Sequence, residues 1–291
     1  MIRRAAALLL TIAVVAGVTT LTGPINAAPV VMGSLRESFQ PTDGKVFILV
    51  IGNDSRSGNP THSRADAIHI VGINTKTMKA GILNFPRDSW VNIPGRGSGK
   101  INEALYHGGP ALLAQTLQNV TGIDLDYWAM VGFQHFRKII HALGGVKMHV
   151  PTRVYDPRGS GARLSAGMQK LGSHQALAYL RTRHSFGGGD VTRTSNQGRF
   201  LIALLKKLRG EVGHSPAALL RWMSVTQRYA RYDMSADELF RLGVIATQLK
   251  PKDVDSVTVP VSVGSVGAAS VVFISGGARS IYQRFRLNGS L

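Results

Sequence analysis

Along this chain the apolar residues fall into short runs closed by turn residues. Val46 to Ile51 is six apolar residues in a row, followed by Gly52, Asn53 and Asp54, the pattern of a strand buried on both faces. Ala67 to Ile73 and Lys79 to Phe85 read as two further strands, with Asn74 to Thr77 as the hairpin loop between them. Pro110 then opens a predicted helix to Val120, with Leu112, Leu113 and Leu117 on one face and Gly122 beyond its end. Tyr127 to Gly132 reads as a short strand, Phe133 to Leu143 as an amphipathic helix stopped by Gly144 and Gly145, and Val146 to Val150 as the next strand. Gly95 to Gly99 and Thr152 to Gly161 read as loops. Ser173 is placed to cap a helix through Arg181, and Thr192 or Ser195 to open a longer one reaching about Arg209. Ser235 with Glu238 forms a capping box for a helix ending near Leu249. Val254 to Pro260 and Val271 to Ile274 read as late strands before a last helix. Strands and helices alternating in this way predict an α/β fold, a layered α-β-α sandwich with a central mixed sheet in a single domain.

The first 28 residues stand apart from that pattern. Arg3 and Arg4 precede an uncharged run from Ala5 to Leu21, and Gly23, Pro24, Ala27 and Ala28 follow, the layout of a secretory signal. The run is also long enough for a retained membrane anchor, so both readings stay open. Residues 29–44 read as a linker and 45–291 as the folded domain. Positive charge ahead of the apolar run puts the remainder outside the cytoplasmic membrane. The 291 residues, 44% of them hydrophobic, fill one large core.

Charge narrows the partners. With 34 Lys plus Arg against 16 Asp plus Glu, the net charge of +18 calls for something anionic: nucleic acid, anionic lipid or a phosphorylated polymer. Export sets nucleic acid aside, and no nucleic-acid-binding signature is present. The absence of cysteine excludes disulfides, a lipoprotein anchor and a thiol nucleophile. There is no Gly-x-Ser-x-Gly elbow, HExxH or Walker A loop. His62, His69, His135 and His141 lack metal-ligand spacing and read as structural.

The candidate chemistry sits at the ends of the first strands. Asp54 and Asp66 stand twelve residues apart, each at the edge of an apolar run, with Arg56, Arg64 and Arg87 close in sequence and Lys100 further on. Two carboxylates among guanidiniums suit a magnesium-like cation and a polyphosphate together, since the first supply hard oxygen ligands and the second match phosphate oxygens in pairs. The same residue types also make ordinary surface ion pairs. A second group is Arg181, Arg183 and Arg193 with Gln197. The Gly187 to Gly189 turn allows the reversal that returns Arg193, Asp190 can hold a guanidinium, and Arg193 and Gln197 share a helix face.

GNDSR, RADAI, PRD, KINEALYHGGP, FRKIIHALGGV, LGSHQALAYLRTR and GGDVTRTSNQ occur in this order between Val46 and Leu208. Together they resemble the LytR-CpsA-Psr family of cell-envelope phosphotransferases. The resemblance implies transfer of a glycopolymer from a polyprenyl-pyrophosphate carrier to a peptidoglycan hydroxyl at the membrane surface. It implies Asp54 and Asp66 as ligands of Mg2+ or another divalent cation. Arg64 and Arg87 would act in catalysis, with Asp88 or a metal aspartate taking the acceptor's proton. Arg87, Arg181, Arg183, Arg193 and Gln197 would hold the pyrophosphate. A lipid tail would need an apolar groove, for which the 110–120, 133–143 and 200–208 helices are candidates, although core packing explains their apolar faces equally well. The chain departs from the family at His141, where an aspartate is common, and at Asn196, where an arginine is common. Phe85 and Asn53 also differ. Those departures keep a non-catalytic binder of lipid-linked glycans in view, and the pI near 10.8 keeps a DNA-binding regulator as the more distant rival.

Overall fold

The first apolar run becomes the centre of a sheet. The structure, a computed structural model, describes residues 43–54, 63–183 and 189–291. The expected signal or anchor (1–28), nearly all of the linker, and Arg56, His62, Gly187 and Gly188 lie outside the described residues. Strand β1 (Lys45–Asn53) pairs antiparallel with β2 (Ala65–Asn74), which pairs antiparallel with β3 (Lys79–Asn84). The rest of the chain adds β4 (Trp90–Ile93), β5 (Gly97–Lys100), α1 (Glu103–Thr121), β6 (Tyr127–Gly132), α2 (Phe133–Ala142) and β7 (Val146–Val150). Then come β8 (Val154–Asp156), β9 (Ala162–Leu164), β10 (Gly167–Leu171), α3 (Ser173–Arg181), α4 (Gly189–His214) and α5 (Ala217–Tyr229). The last elements are β11 (Arg231–Tyr232), α6 (Ala236–Gln248), β12 (Val254–Thr258), β13 (Val261–Val266), β14 (Ala269–Ile274) and α7 (Ala278–Asn288).

Among the described residues the central sheet has the order β11-β6-β1-β2-β3-β12, with β6 parallel to β1 and β12 parallel to β3. It is the mixed sheet expected, with helices on both faces. On one face Phe47, Leu49 and Ile51 of β1 and Ile68 and Ile70 of β2 meet α1 and α7 in the main core. Phe285 of α7 stands edge-on to Phe47 at 5.4 Å between centroids. Gly72 and Gly81 make room for it, since a Cβ there would come within 2.6 and 2.8 Å of its ring. On the other face α4 crosses β3 and β12 and is flanked by α2, α3, α5 and α6. A second core of Ile140, Val146, Met148, Leu171, Tyr179 and Phe200 forms beneath them.

Several elements differ from the expected ones. The helix foreseen from Pro110 is the second half of α1, which begins at Glu103 and is interrupted at Gly108 and Gly109, the latter at φ 67°. Pro110, with no N–H to lose, restarts it. Gly95 to Gly99 is not a free loop: Gly95 and Gly97, at φ 71° and 76°, turn the chain so that β5 pairs with β4. The 152–161 loop folds as a hairpin of β8 and β9, closed by Asp156 Oδ1 and Oδ2 accepting from Gly159 N–H at 3.1 Å and Ser160 N–H at 3.0 Å. The cap of α3 is Gly172, one residue before Ser173. Helix α4 starts earlier and ends later than predicted, and α5 and β13 were not foreseen. No described helix is long and apolar enough to cross a membrane.

Candidate active site

A break in strand register puts the key carboxylate in place. Down β1 and β2 the pairs run Ile51 to Ile68 and Gly52 to Ala67, but Asn53 then meets Ala65, which leaves Asp66 as the extra residue of a bulge. Ile68 and Ile70 face the main core, and so does Ala65, although it is an odd number of residues away. Strict alternation would have sent Asp66 into that core. The bulge turns it to the opposite face, towards α4.

There it meets the arginines. Arg87, in the turn after β3, hydrogen-bonds through Nη1 to Asp66 Oδ1. Arg193 of α4, whose side chain is only 3% exposed, has Nη1 4.0 Å from the same oxygen and Nη2 2.7 Å from Asp190 Oδ1. Arg183 Nε stands 3.5 Å from Asp190 Oδ1. Asp88, beside Arg87, is held by Lys100 Nζ at 3.0 Å. Desolvation is the largest influence on both inner guanidiniums, but the outcomes differ. For Arg193 it wins over Asp190 and pulls the pKa down to about 10. For Arg87, less buried, the attraction of Asp66 outweighs it and the pKa rises. The cluster holds more cations than carboxylates, so it attracts anions.

The turn that carries Arg87 and Asp88 is fixed from three sides. Arg87 O accepts from Asn102 N at 3.2 Å, Asp88 O from Val272 N at 3.0 Å and Ser89 O from Ile101 N at 2.8 Å. Beneath the site runs a buried polar row. His69 Nδ1 lies 2.8 Å from Asn84 Oδ1, and Asn84 Nδ2 donates to Ser256 Oγ at 2.9 Å and Val257 O at 3.0 Å. Burial, with Arg193 nearby, depresses the His69 pKa to about 4 although Asn84 opposes the shift, so its imidazole is neutral at pH 7. Gly198 lets α4 approach this row, because a Cβ there would collide with Ser256 and Asn84.

The other predicted site residues are spread around the cluster. Asp54 is exposed at the end of β1, with no ion pair among the described residues. Arg64 turns outward, its side chain 64% exposed and 3.7 Å from Glu103. Arg181 lays its guanidinium over the ring of Phe133, 4.9 Å from the centroid. Gln197 is buried and donates from Nε2 to Leu180 O at 3.2 Å, which ties α4 to the end of α3. The structure therefore brings Asp66, Arg87, Arg183 and Arg193 together and leaves Arg64 and Arg181 with partners of their own. Asn196 is buried and accepts from Arg199 Nη1 at 3.1 Å. His141 is exposed in the last turn of α2, where a basic residue suits the helix dipole. Reasoning from the sequence missed the His69, Asn84 and Ser256 row. A polar residue alternating with Ile68 and Ile70 inside a buried strand was the available signal.

Fold and site together define an α/β domain with a convergent arginine and carboxylate site suited to a phosphorylated ligand. Residues 26–283 match the LytR_cpsA_psr family, and the chain belongs to it. Relatives include the probable cell wall biosynthesis protein LcpB of Corynebacterium glutamicum, 35% identical over 185 residues, which cover 59% of this chain and 43% of that protein. The polyisoprenyl-teichoic acid–peptidoglycan teichoic acid transferase TagT of Bacillus subtilis is 32% identical over 180 residues, 59% of this chain and 55% of TagT. This chain thus spans about half the length of these two relatives. A solved structure of TagT bound to LI-WTA superposes with a TM-score of 0.71 at 25% identity, covering 86% of this chain and 92% of that one.

Proposed function

We propose that this chain is an extracytoplasmic transferase that moves a phospho-glycopolymer from a polyprenyl-pyrophosphate carrier to a hydroxyl of peptidoglycan. The observation that carries the reading is the convergence of Arg87, Arg183 and Arg193 beside the bulged Asp66. Guanidinium forks bind diphosphate oxygens in pairs, and this site has three of them on different elements. The TagT name, with its polyisoprenyl donor and peptidoglycan acceptor, supports the substrate classes. The Arg3-Arg4 and Ala5 to Leu21 segment supports an extracytoplasmic location at the membrane surface, by cleaved signal or by anchor.

In this mechanism Arg87 and Arg193 bind and orient the diphosphate, and Arg183 closes its outer side. The acceptor oxygen attacks the phosphorus that carries the glycopolymer, and the bond from that phosphorus to the bridging oxygen breaks. Polyprenyl phosphate leaves, its charge held by the arginines. Asp88, oriented by Lys100, receives the acceptor's proton. Asp54 and Asp66 fit a magnesium-type ion: one is exposed and unpaired among the described residues, and the other bonds Arg87 through Oδ1 alone. Two carboxylates plus substrate phosphates are an ordinary ligand set for that ion. When bound it supplies further neutralisation of the diphosphate.

The test is transfer of label from a polyprenyl-pyrophosphate-linked saccharide to purified peptidoglycan, with and without magnesium. Asp66→Asn should lose at least about tenfold in rate and most of the metal dependence. Tight donor binding without turnover by the unaltered protein would leave the non-catalytic binder standing instead.

A further inference from the structure

On the far side of the Arg87 turn, away from α4, lies a cleft that the diphosphate site does not use. It is about 420 Å³, within the roughly 300–1,000 Å³ range of small-molecule sites. Trp90, Phe273 and Tyr282 give it three aromatic walls, and Asn92, Ser275 and Arg279 supply polar groups. Tyr282 is 5% exposed and stacks on Phe85 at 6.2 Å, yet its buried hydroxyl has no hydrogen-bond partner among the described residues, which is unusual for a buried group. Arg279 is exposed and has no ion pair among the described residues.

The cleft is joined to the reacting end of the site. Trp90 follows Asp88 by two residues, a reach of no more than about 7 Å along the chain. Phe273 follows Val272, whose N–H is bonded to Asp88 O. The cleft therefore shares its framework, β4 and β14, with the turn that carries Asp88, to which the acceptor's proton is assigned. Aromatic ring faces carry negative charge density that attracts the polarised C–H bonds on the apolar face of a sugar ring, while amide, hydroxyl and guanidinium groups at the edge match its polar rim.

We infer that the cleft between β4, β14 and α7 is the acceptor subsite and takes an N-acetylhexosamine unit of a glycan, with any acid substituent of that sugar facing Arg279. This deepens the transferase reading and rests on it for the word acceptor, but saccharide binding can be measured without turnover. The probe is a tetrasaccharide of alternating N-acetylglucosamine and N-acetylmuramic acid, titrated into the full chain by calorimetry, with magnesium pyrophosphate titrated separately. Trp90→Ala and the exposed Arg279→Glu should each weaken tetrasaccharide binding at least tenfold and leave pyrophosphate affinity within about twofold. In transfer assays the same variants should raise the KM for peptidoglycan far more than they lower kcat. No saturable tetrasaccharide binding by the unaltered protein, or equal binding by both variants, overturns the subsite. So does a loss confined to a short prenyl pyrophosphate, which would assign the cleft to the donor's tail. Saccharide binding that depends on Trp90, in a protein that never turns over donor, would uphold the cleft as a glycan site and reject the transferase reading alone.

Discussion

Two pairs of arginines, all four drawn from the family's motifs, behave as opposites. Arg87 and Arg193 point inward onto Asp66 and Asp190, and the Arg193 side chain is 3% exposed. Arg64 and Arg181 lie in the neighbouring motifs, yet one is 64% exposed beside Glu103 and the other lies on Phe133. The difference is what each guanidinium gives up. An exposed arginine keeps most of its water and costs little to leave or to lose. A buried one has lost that water and depends on its carboxylates, so its position is fixed before any ligand arrives. Preorganised charge of the second kind is what a diphosphate site needs.

The largest effect should come from breaking the inner pair. Arg193→Ala leaves Asp190 without its closest cation and should lower unfolding stability by about 3–5 kcal/mol in chemical denaturation. Arg64→Ala in the same assay should change it by less than about 1 kcal/mol. If the two variants lose equal stability, the distinction between inner and outer arginines fails.

Acid should undermine the inner pair from below. The folded His69 has its pKa depressed to about 4 from the ordinary value of 6.5, so between those limits the unfolded chain binds the extra proton. Stability from this group is complete above about pH 6.5 and is lost as pH falls towards 4, by about 1.4 kcal/mol per pH unit and on the order of 3 kcal/mol in all. Denaturation midpoints at pH 7 and pH 4.5 should show the loss, and His69→Gln should flatten it.

A smaller effect concerns ligand affinity. Arg87→Ala should weaken pyrophosphate binding about ten- to a hundredfold by calorimetry, and Arg87→Lys should restore only part of it, because an ammonium cannot make the paired contact. The smallest belongs to the rim, where Arg181→Ala should cost no more than about threefold in the same titration. A rim loss matching that of Arg87 would show that Arg181 leaves Phe133 when ligand binds.

Much of this was legible in the chain. Runs such as Val46 to Ile51 and Ala67 to Ile73 announced the sheet because burial on a strand leaves few residue types free. Ser235 and Glu238 gave the start of α6, where the cap bonds Glu238 N to Ser235 Oγ at 3.2 Å. The bulge at Asp66 was hidden, since one unpaired residue leaves no mark in composition. The hairpin of β4 and β5 was missed because its glycines signal a turn but not that the chain will pair beyond it. Helix α5 was missed although Leu219, Trp222, Met223 and Tyr229 fall on one buried or half-buried face at helical spacing, a signal the chain does carry. For the site, residue types identified the chemistry and the resemblance grouped the residues, but neither separated Arg193 from Arg64. That separation depends on the depth of α4 against β3, set by a missing Cβ at Gly198.

The three carbonyl anchors of the Arg87 turn also govern when the site comes into being. Two of the donors, Ile101 and Asn102, follow the turn within about a dozen residues, but the third, Val272, is more than 180 residues downstream. A chain emerging from its amino end can build β1, β2 and β3 and pair them long before that donor exists. Asp88 acquires its final restraint only when β14 docks. A polypeptide halted short of its last hairpin would hold this turn by two of its three backbone anchors, with Asp88 O unsatisfied.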